Sequence, residues 1–561
     1  MDDHTEGRRT RDGVSRRQLL GRAGTAAAGS VAAAGLVGTL GADPASAATA
    51  ATELRPRAFG PVTIKPGDVR YDSMLRGDNF RFAGDPDQVV VVSSTAQVVA
   101  AVEDAVRSGK RIAVRSGGHC FEGFTADPGI RVLLDLSPMD AVGFDPGMGA
   151  FAVQPGARLG QVYTALFKGW GVTVPAGGCP DVGAGGHFAG GGYGPLSRRY
   201  GSVVDHLYAV EVVVVDEHGG VRAVVATRDP DDPNHDLWWA HTGGGGGNFG
   251  VVTRYWMRSP GATGAGPAKL LPPSPGDMYL WEVLWPWDAS MTEQELSTLL
   301  RNFGVWHERN SAPGSPGTGL YPIMLVPHAS AGPVSMIIQA DASWPNVKDL
   351  VAQLVSSVTE GSGVKPVVNQ GGTMPWLHMV TWPGTGEAGD SVTRRYKIKA
   401  GYLRKSYTDA QLSAIYAGLR DSSGGSGGSL LLIGYGGQVQ AVPPAATATA
   451  QRRVIMKAVY SAVWFSPASD DTEIAWLRKL YHRGVYADTG GVPAPGDVGG
   501  VNDGSYINYP DVDLADPAWN TSAAPWYSLY YQGNYPRLQR VKARWDPRNV
   551  FHHALSIQPP A

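Results

Sequence analysis

The sequence has no excess of positive charge and very little cysteine. It contains 48 Lys and Arg against 50 Asp and Glu, a formal net charge of −2. Nucleic-acid-binding proteins carry a basic footprint, so the composition excludes nucleic acid as an expected partner. Cys120 and Cys179 are the only cysteines in 561 residues. An exported chain could join them in a disulfide, and by count alone that alternative stays open.

The N-terminal region lacks the bulky hydrophobic run of a membrane span. In "SRRQLLGRAG", Arg16 and Arg17 precede an Ala/Gly/Leu stretch that glycines interrupt, and "ASA" at 45–47 resembles a cleavage site. A weak transmembrane anchor is the alternative, but this pattern favours a twin-arginine signal peptide over residues 1–47. We therefore expect export by that route to an extracytoplasmic or secreted location, without membrane attachment after cleavage.

Paired metal ligands and a nucleotide-binding Rossmann turn are missing as well. The His and Cys residues lack paired spacing and nearby carboxylates, so no metal is predicted. "GGGNFG" at 245–250 fits a dinucleotide-binding pattern, but strand-like "VVTRYW" follows where a helix is required. "GGSGG" at 424–428 fits a hydrolase pattern but precedes a strand. Neither segment therefore predicts a dinucleotide-binding site or a hydrolase active site.

Glycine, with 75 residues, is the abundant type, and much of it lies in runs near 177–194 and 243–250. An earlier glycine loop, "RSGGHCFEGF", leaves the end of the short strand "RIAVR". The longest run is "PAGGCPDVGAGGHFAGGGYGPLSRRYG". Bare backbone of this kind suits close approach to a phosphate or to a large flat ligand.

The chain is long enough for two or three domains. Helix and strand patterns predict a mixed α/β unit over 48–265, with Thr95 capping its first helix and a hairpin turning at 216–220. Residues 266–500 predict an antiparallel sheet with helices on one face, and 501–561 a segment that packs back on the first domain. Capping boxes join Thr292 to Glu295 and Thr408 to Gln411. The predicted fold class is α+β.

Four ordered motifs over nearly all of the mature chain resemble the berberine bridge enzyme-like family of flavin oxidases, within the vanillyl-alcohol oxidase superfamily. They are "RSGGH", "CPDVGAGGHFAGGGYG", "DLWWAHTGGGGGNFGVVT" and "YYQGNYPRLQRVKARWDPRNVF". The resemblance implies a two-part PCMH-type FAD-binding domain and a separate substrate domain. Within the family, the chain resembles sugar oxidases of the aclacinomycin oxidoreductase type.

The resemblance also implies that FAD is attached twice, through His119 to its 8α-methyl and through Cys179 to its C6, which disfavours the disulfide. His187 matches a histidine near the flavin N1–C2 carbonyl, and Gly177 matches a position beside C4a where a small residue admits dioxygen. The amides of 116–118 are expected at the pyrophosphate. The full set of expected cofactor-binding residues is His119, Cys179, Arg115, Ser116, Gly117, Gly118, Cys120, Gly177, Gly183, Gly186, His187, Gly192, Val252, Tyr531 and Asn534.

"GSYINYPD" resembles the tyrosine pair of the family's sugar oxidases and makes Tyr509 the candidate base, with Tyr506 beside it. A tyrosine has an ordinary pKa of about 10, so the site must supply a charge or a donor to lower it. "LLLIGYGGQVQ" adds Tyr435, Gln438 and Gln440 on an expected strand. The glutamate of alkaloid-oxidising relatives is absent there, which argues against amine ring closure.

The resulting expectation is an exported oxidase of a secondary alcohol, a sugar of a glycosylated natural product, with O2 reduced to H2O2. The alternatives are an oligosaccharide or hexose oxidase that forms a lactone, and a flavin-free, disulfide-bonded carbohydrate-binding protein. The expected partners are thus a small alcohol or sugar and O2. Composition does not discriminate between the two oxidases, and it does not determine the oligomeric state.

Overall fold

The computed structural model describes residues 59–262, 266–381, 393–496 and 500–560. The predicted signal peptide, with Arg16, Arg17 and the cleavage site, lies outside these ranges. Across them, every helix is too short or too polar to cross a membrane.

Sixteen strands are present in the described ranges. They are β1 (Val62–Ile64), β2 (Gln88–Val91), β3 (Ile112–Arg115), β4 (Val132–Asp135), β5 (Val142–Asp145), β6 (Ala150–Val153), β7 (Leu207–Val215), β8 (Val221–Thr227), β9 (Val251–Met257), β10 (Asp277–Trp285), β11 (Leu320–Pro327), β12 (Val334–Asp341), β13 (Val368–Pro375), β14 (Arg395–Leu403), β15 (Gly428–Gly434) and β16 (Met456–Trp464).

The α-helices of the same ranges are mostly short. They are α1 (Thr95–Arg107), α2 (Leu159–Trp170), α3 (Ala184–Ala189), α4 (Ser197–Tyr200), α5 (His235–Ala240), α6 (Glu293–Asn310), α7 (Val347–Thr359), α8 (Trp376–Thr381), α9 (Asp409–Gly418), α10 (Asp470–Arg478), α11 (Trp526–Tyr531) and α12 (Tyr535–Trp545).

The strands form three sheets. A four-stranded mixed sheet has the order β1-β2-β4-β3, with β4 parallel to both of its neighbours. A five-stranded antiparallel sheet follows the order β5-β6-β9-β7-β8, and a seven-stranded antiparallel sheet the order β13-β10-β12-β11-β15-β16-β14. The prediction of an α+β fold is confirmed.

Helices cover one face of the seven-stranded sheet. The apolar side of α6 packs into one buried cluster with α7 and with alternate residues of β10, β11 and β12. Residues on the other face of these strands are less buried: Leu280, Glu282 and Leu284 of β10 are each partly exposed. Because side chains alternate along a strand, this second face is left for other contacts.

Several local expectations are confirmed. β7 and β8 form the predicted hairpin, and the capping boxes of Thr292 and Thr408 are both formed. The cap of α1 was predicted one residue too late, because Ser94, which has an extended backbone, accepts from the amide of Gln97.

The placement of Tyr435, Gln438 and Gln440 on a strand was wrong. β15 ends at Gly434. Gly436 and Gly437, both with positive φ, then turn the chain into a short 3₁₀ segment that contains both glutamines. The Gln440 side chain donates to the carbonyl oxygen of Val454, so its amide is used to hold the turn.

Candidate active site

The two glycine loops meet backbone to backbone. A Cβ added to Gly117 would lie 2.8 Å from Cα of Gly183, and one added to Gly183 would collide with the Ser116 side chain. The Ser116 hydroxyl donates to the carbonyl oxygen of Pro155, and Gly118 has φ +76°, which favours glycine. Two loops that are distant in sequence are therefore in direct contact, and only glycine at positions 117 and 183 permits this close approach.

His119 lies at this junction with a carboxylate beside it. Its Nδ1 is 4.0 Å from Asp78 Oδ2, and Asp78 is itself held by Arg394 at 2.7 Å and by the hydroxyl of Tyr396 at 2.9 Å. Burial lowers the pKa of His119, and the charge of Asp78 opposes that shift. The imidazole is therefore neutral near pH 7, which is its nucleophilic form.

Cys120 differs chemically from its neighbour. Burial raises the pKa of its thiol to about 11, so the thiol stays protonated at neutral pH and is a poor nucleophile. No disulfide joins Cys120 to Cys179, although the structure describes both residues. The disulfide alternative is therefore wrong.

His187 on α3 connects the second glycine loop to the rest of the site. Its Nε2 accepts from the amide of Gly177 at 3.0 Å, so the ring proton is on Nδ1. Burial, and then the charge of Lys457, lower its pKa to about 3. A Cβ at Gly177 would lie 2.9 Å from His187 Cε1. Glycine is thus required here for the approach of the imidazole, whatever its relation to dioxygen.

The glycine loops fit a large cofactor such as FAD. Gly183 and Gly192 are packed closely by protein atoms, but a Cβ added to Gly186 would meet nothing within 4 Å. The backbone of the loops is therefore packed closely against other protein atoms, whereas the side of α3 that carries Gly186 faces open space. The neutral His119, the Nδ1–H of His187 and bare amides are a donor set that suits a flat ring with an attached pyrophosphate.

The side chains of the other expected cofactor-binding residues contact groups of the protein itself. Arg115 pairs with Asp135 at 2.7 Å, and Val252 is a partly buried residue of β9. The hydroxyl of Tyr531 donates to the carbonyl oxygen of Gly244. The amide of Asn534 donates to carbonyl oxygens of the 444–448 loop. Their contact with a cofactor stays a prediction.

Tyrosines form a cluster against the second glycine loop. The hydroxyl of Tyr506 accepts from the amide of Gly192 at 2.8 Å and from Asn508 at 3.0 Å. The hydroxyl of Tyr509 is 2.8 Å from that of Tyr193. Tyr509 is partly exposed, whereas burial raises the pKa of Tyr506. The structure thus brings both predicted tyrosines together, with Tyr509 the more accessible.

Lys457 of β16 is a residue that the sequence reasoning missed. Its ammonium lies 3.3 Å from the ring centre of Tyr193, 3.8 Å from that of Tyr506 and 4.2 Å from that of Tyr435. Within the described chain, its Nζ has no hydrogen-bond partner. Burial, and then Arg452, lower the pKa of Lys457 well below its usual range, while the ring faces favour its charged form. Lys457 is therefore the candidate for the positive charge that a tyrosinate here would require.

A buried ionic network connects the His119 loop to the tyrosine segment. Lys397 of β14 contacts Glu122 and lies 2.7 Å from Asp511, and the ring of Phe121 stacks on that of Tyr509 with centres 5.3 Å apart. Burial would raise the pKa of Asp511, but Lys397 and Lys399 overcome that effect and lower it. The two segments are thus held to each other as well as to the sheet.

The same network brings together the potential metal ligands His482, Asp511 and Asp513. Lys399 donates to both carboxylates, at 2.7 and 2.5 Å. Because the ammonium already supplies the positive charge that these oxygens need, the group fits a buried ion network better than a metal centre.

Comparison with known proteins gives two matching family models. The model described as "FAD binding domain" matches residues 86–221, and the one described as "Berberine and berberine like" matches residues 505–558. Both expected flavin attachment loops lie in the first range, and the tyrosine pair lies in the second.

Similarity to individual proteins extends over most of the chain. It is 53% identical over 500 residues to an aclacinomycin-N/aclacinomycin-A oxidase from Streptomyces galilaeus, covering 89% of this chain and 90% of the relative. The crystal structure of aclacinomycin oxidoreductase has a TM-score of 0.85 at 52% identity, covering 89% of this chain and 99% of that one. A glycopeptide hexose oxidase crystallised with teicoplanin has a TM-score of 0.83 at 50% identity, with the same coverage.

Proposed function

The chain belongs to the berberine and berberine-like family of FAD-linked oxidoreductases, and on that premise we propose that it oxidises a secondary alcohol on the sugar of a glycosylated natural product. The family resemblance and the FAD cofactor predicted from four motifs are confirmed, and the chain is an oxidoreductase acting on CH–OH groups. The flavin-free carbohydrate-binding alternative is therefore wrong.

When bound, FAD supplies an acceptor for the hydride of the carbinol carbon and a carrier of two electrons to dioxygen. Overall, each secondary alcohol loses two hydrogens to become a ketone, and each O2 gains them to become H2O2. His119 and Cys179 would tether the cofactor, the 116–118 amides would contact its pyrophosphate, and Nδ1–H of His187 would donate where negative charge develops. The neutral state of His119 supports its assignment as a tether.

The observation that carries the proposal is the chain of groups from Tyr509 to Tyr193 to Lys457. Tyr509 Oη takes the substrate hydroxyl proton, and the 2.8 Å hydrogen bond to Tyr193 spreads the charge of the basic form over both hydroxyls. The Lys457 ammonium on the face of Tyr193 stabilises that anionic form before the proton is taken.

Tyr506 is better suited to positioning than to proton transfer. Its hydroxyl already accepts two hydrogen bonds, one of them from the backbone of the second glycine loop. Asn508 also donates to the carbonyl oxygen of His187. We therefore assign Tyr506 and Asn508 to holding the base against the cofactor loop. Tyr435, which is fully buried under Lys457, completes the wall around the ammonium.

The within-fold alternative is an oligosaccharide or hexose oxidase that forms a lactone. A peroxide-coupled assay separates the two when one series contains deoxysugar glycosides of aromatic polyketides and the other contains free hexoses and oligosaccharides. We expect glycosides to give peroxide equal to the O2 consumed, with a ketone product. Faster turnover of free oligosaccharides, with a lactone product, would establish the alternative.

Export by the twin-arginine route belongs to the same proposal. It is supported by Arg16 and Arg17 in the N-terminal sequence, and it suits a protein that receives its cofactor before transport. Fusion of residues 1–47 to a reporter tests it: we expect a reporter outside the cytoplasm, and retention when Arg16 and Arg17 are both changed to Lys.

A further inference from the structure

Arg198 of α4 joins the second glycine loop to the region of the seven-stranded sheet. The residue before it, Ser197, connects the two ends of that loop. The Ser197 hydroxyl accepts from the amide of Gly194 at 3.0 Å and donates to the carbonyl oxygen of Pro175 at 2.9 Å. Ser197 and Arg198 are each 1% exposed. The guanidinium of Arg198 is therefore fixed relative to both ends of the cofactor loop.

This guanidinium is bound by carbonyl oxygens. It donates to three of them, those of Asn310 at 2.7 Å, of Gly317 at 3.3 Å and of Tyr435. It also donates to the hydroxyl of Ser311 at 3.1 Å. Burial lowers its pKa to about 9, so it is charged at neutral pH. Asn310 is the last residue of α6, and the carboxyl end of a helix favours a cation, so α6 compensates the buried charge.

The contact with Tyr435 connects Arg198 to the tyrosine cluster. The backbone of Arg198 packs on the turn after β15, because a Cβ added to Gly437 would collide with the Arg198 carbonyl oxygen. The amide of Gly437 donates to the carbonyl oxygen of Ser311 at 2.8 Å. Tyr435 begins this turn, and its ring centre lies 4.2 Å from the Lys457 ammonium. A displacement where α4, α6 and the turn meet therefore shifts one wall of the Lys457 site.

Two other ionisable groups near these contacts keep a constant charge at neutral pH. His307, in the last turn of α6, is fully buried, and burial followed by the charge of Arg198 lowers its pKa well below its usual range, so it is neutral. Arg452 pairs with Asp205 at 2.7 Å, so its charge is compensated. Because Arg198 bonds to the backbone of Tyr435, it acts on the tyrosine ring through the position of the turn.

We propose that Arg198 is a positioning residue for the base. It holds the Tyr435 turn against the second glycine loop and thereby keeps the Lys457 ammonium against the ring of Tyr193. The proposal rests on the proposed function, because it concerns the same base, and it links the cofactor loop to the charge beside that base. If the ammonium moves about 1.5 Å away, the ionisation midpoint of the Tyr509–Tyr193 pair should rise by roughly 0.5–1 pH unit.

The test measures that midpoint without substrate. A fluorinated tyrosine is introduced at position 509, and its ionisation in the flavin-loaded protein is followed by fluorine NMR as the pH is raised. Arg198→Met removes the donors and keeps a long side chain, so it should raise the midpoint by roughly 0.5–1 pH unit. Gly437→Ala displaces the same turn and retains the guanidinium, so it should raise the midpoint in the same direction. It also decides the proposal if Arg198→Met does not fold.

Arg199→Met is the matched control, because Arg199 is the next residue of α4 and pairs with Asp341 of the seven-stranded sheet. It should lower the melting temperature and leave the midpoint unchanged. If Arg198→Met or Gly437→Ala lowers the melting temperature but titrates like the wild-type protein, the role of Arg198 is only structural and the proposal is overturned. A raised midpoint in a protein that oxidises no glycoside would support the positioning role and overturn only the proposed function.

Discussion

The Lys457→Met variant tests how the site makes a tyrosine basic. The methionine has a similar length and stays apolar, so it fills the space between the rings of Tyr193, Tyr506 and Tyr435 while removing the charge. In the wild-type protein, the Lys457 ammonium lies 3.3 Å from the ring centre of Tyr193. Its Nζ has no hydrogen-bond partner among the described residues, so no hydrogen bond is broken by the change.

The magnitude follows from the charge and its distance. For an ammonium above a ring face, the phenolic oxygen is roughly 4.5 Å away, where a unit charge contributes about 3–4 kcal/mol at an effective dielectric constant near 20. Taking about 3 kcal/mol, the loss of Lys457 raises the pKa of the tyrosine pair by about two units. We therefore expect flavin reduction at neutral pH to slow roughly a hundredfold, within the usual range for general-base catalysis.

The assay is anaerobic stopped-flow reduction of the flavin by saturating glycoside as a function of pH. Removal of the cation destabilises the tyrosinate, so the ascending limb of the rate profile should move to higher pH. Lys542→Met is the control, since Lys542 is an equally buried lysine paired with Asp546. A Lys457→Met profile that coincides with the wild-type profile would refute the assignment of the charge to this lysine.

Three further predictions follow from the same contacts. Tyr509→Phe should slow flavin reduction roughly a hundredfold or more and leave the flavin spectrum unchanged, and equal reduction rates would remove Tyr509 from the mechanism. Lys397→Met leaves Glu122 and Asp511 without their shared cation, so it should lower both the melting temperature and the rate of flavin reduction. Lys397→Arg should restore both. An unchanged rate of flavin reduction in Lys397→Met would mean that the network is only structural. Gly183→Ala places a methyl group against the backbone of Gly117, so bound FAD should fall severalfold, whereas Gly169→Ala, which meets open space on α2, should retain it.

The helix caps could be predicted because they depend on neighbours in sequence, whereas the glycine runs predicted close approach to a ligand and not the mutual contact of Gly117 and Gly183. Gly117 and Gly183 bear the signature of close backbone approach, and a Thr followed by Glu or Gln three residues later encodes a capping box. Tyr435 was misplaced because β15 ends one residue before it and two glycines with positive φ follow it, and an apolar run does not show where a strand stops.

Lys457 could not be found in this way, because its environment is assembled from distant segments. Its three tyrosine neighbours come from the second glycine loop, the turn after β15 and the region before the C-terminal helices: Tyr193, Tyr435 and Tyr506. In sequence, "VIMKAVYSAVW" reads as an apolar strand with one lysine, which on local evidence belongs at the surface. The need for a charge or a donor beside the base was predicted, but the residue that supplies it is identified only by the fold.

Peptide mapping tests directly whether the two glycine loops hold a single FAD through His119 and Cys179. The purified protein is denatured in acid and digested, and the masses of the peptides are measured by mass spectrometry. We predict one species whose mass equals the His119 peptide plus the Cys179 peptide plus one FAD, less the hydrogens lost in forming the two bonds. Unmodified His119 and Cys179 peptides, with the flavin released free into the acid, would contradict it.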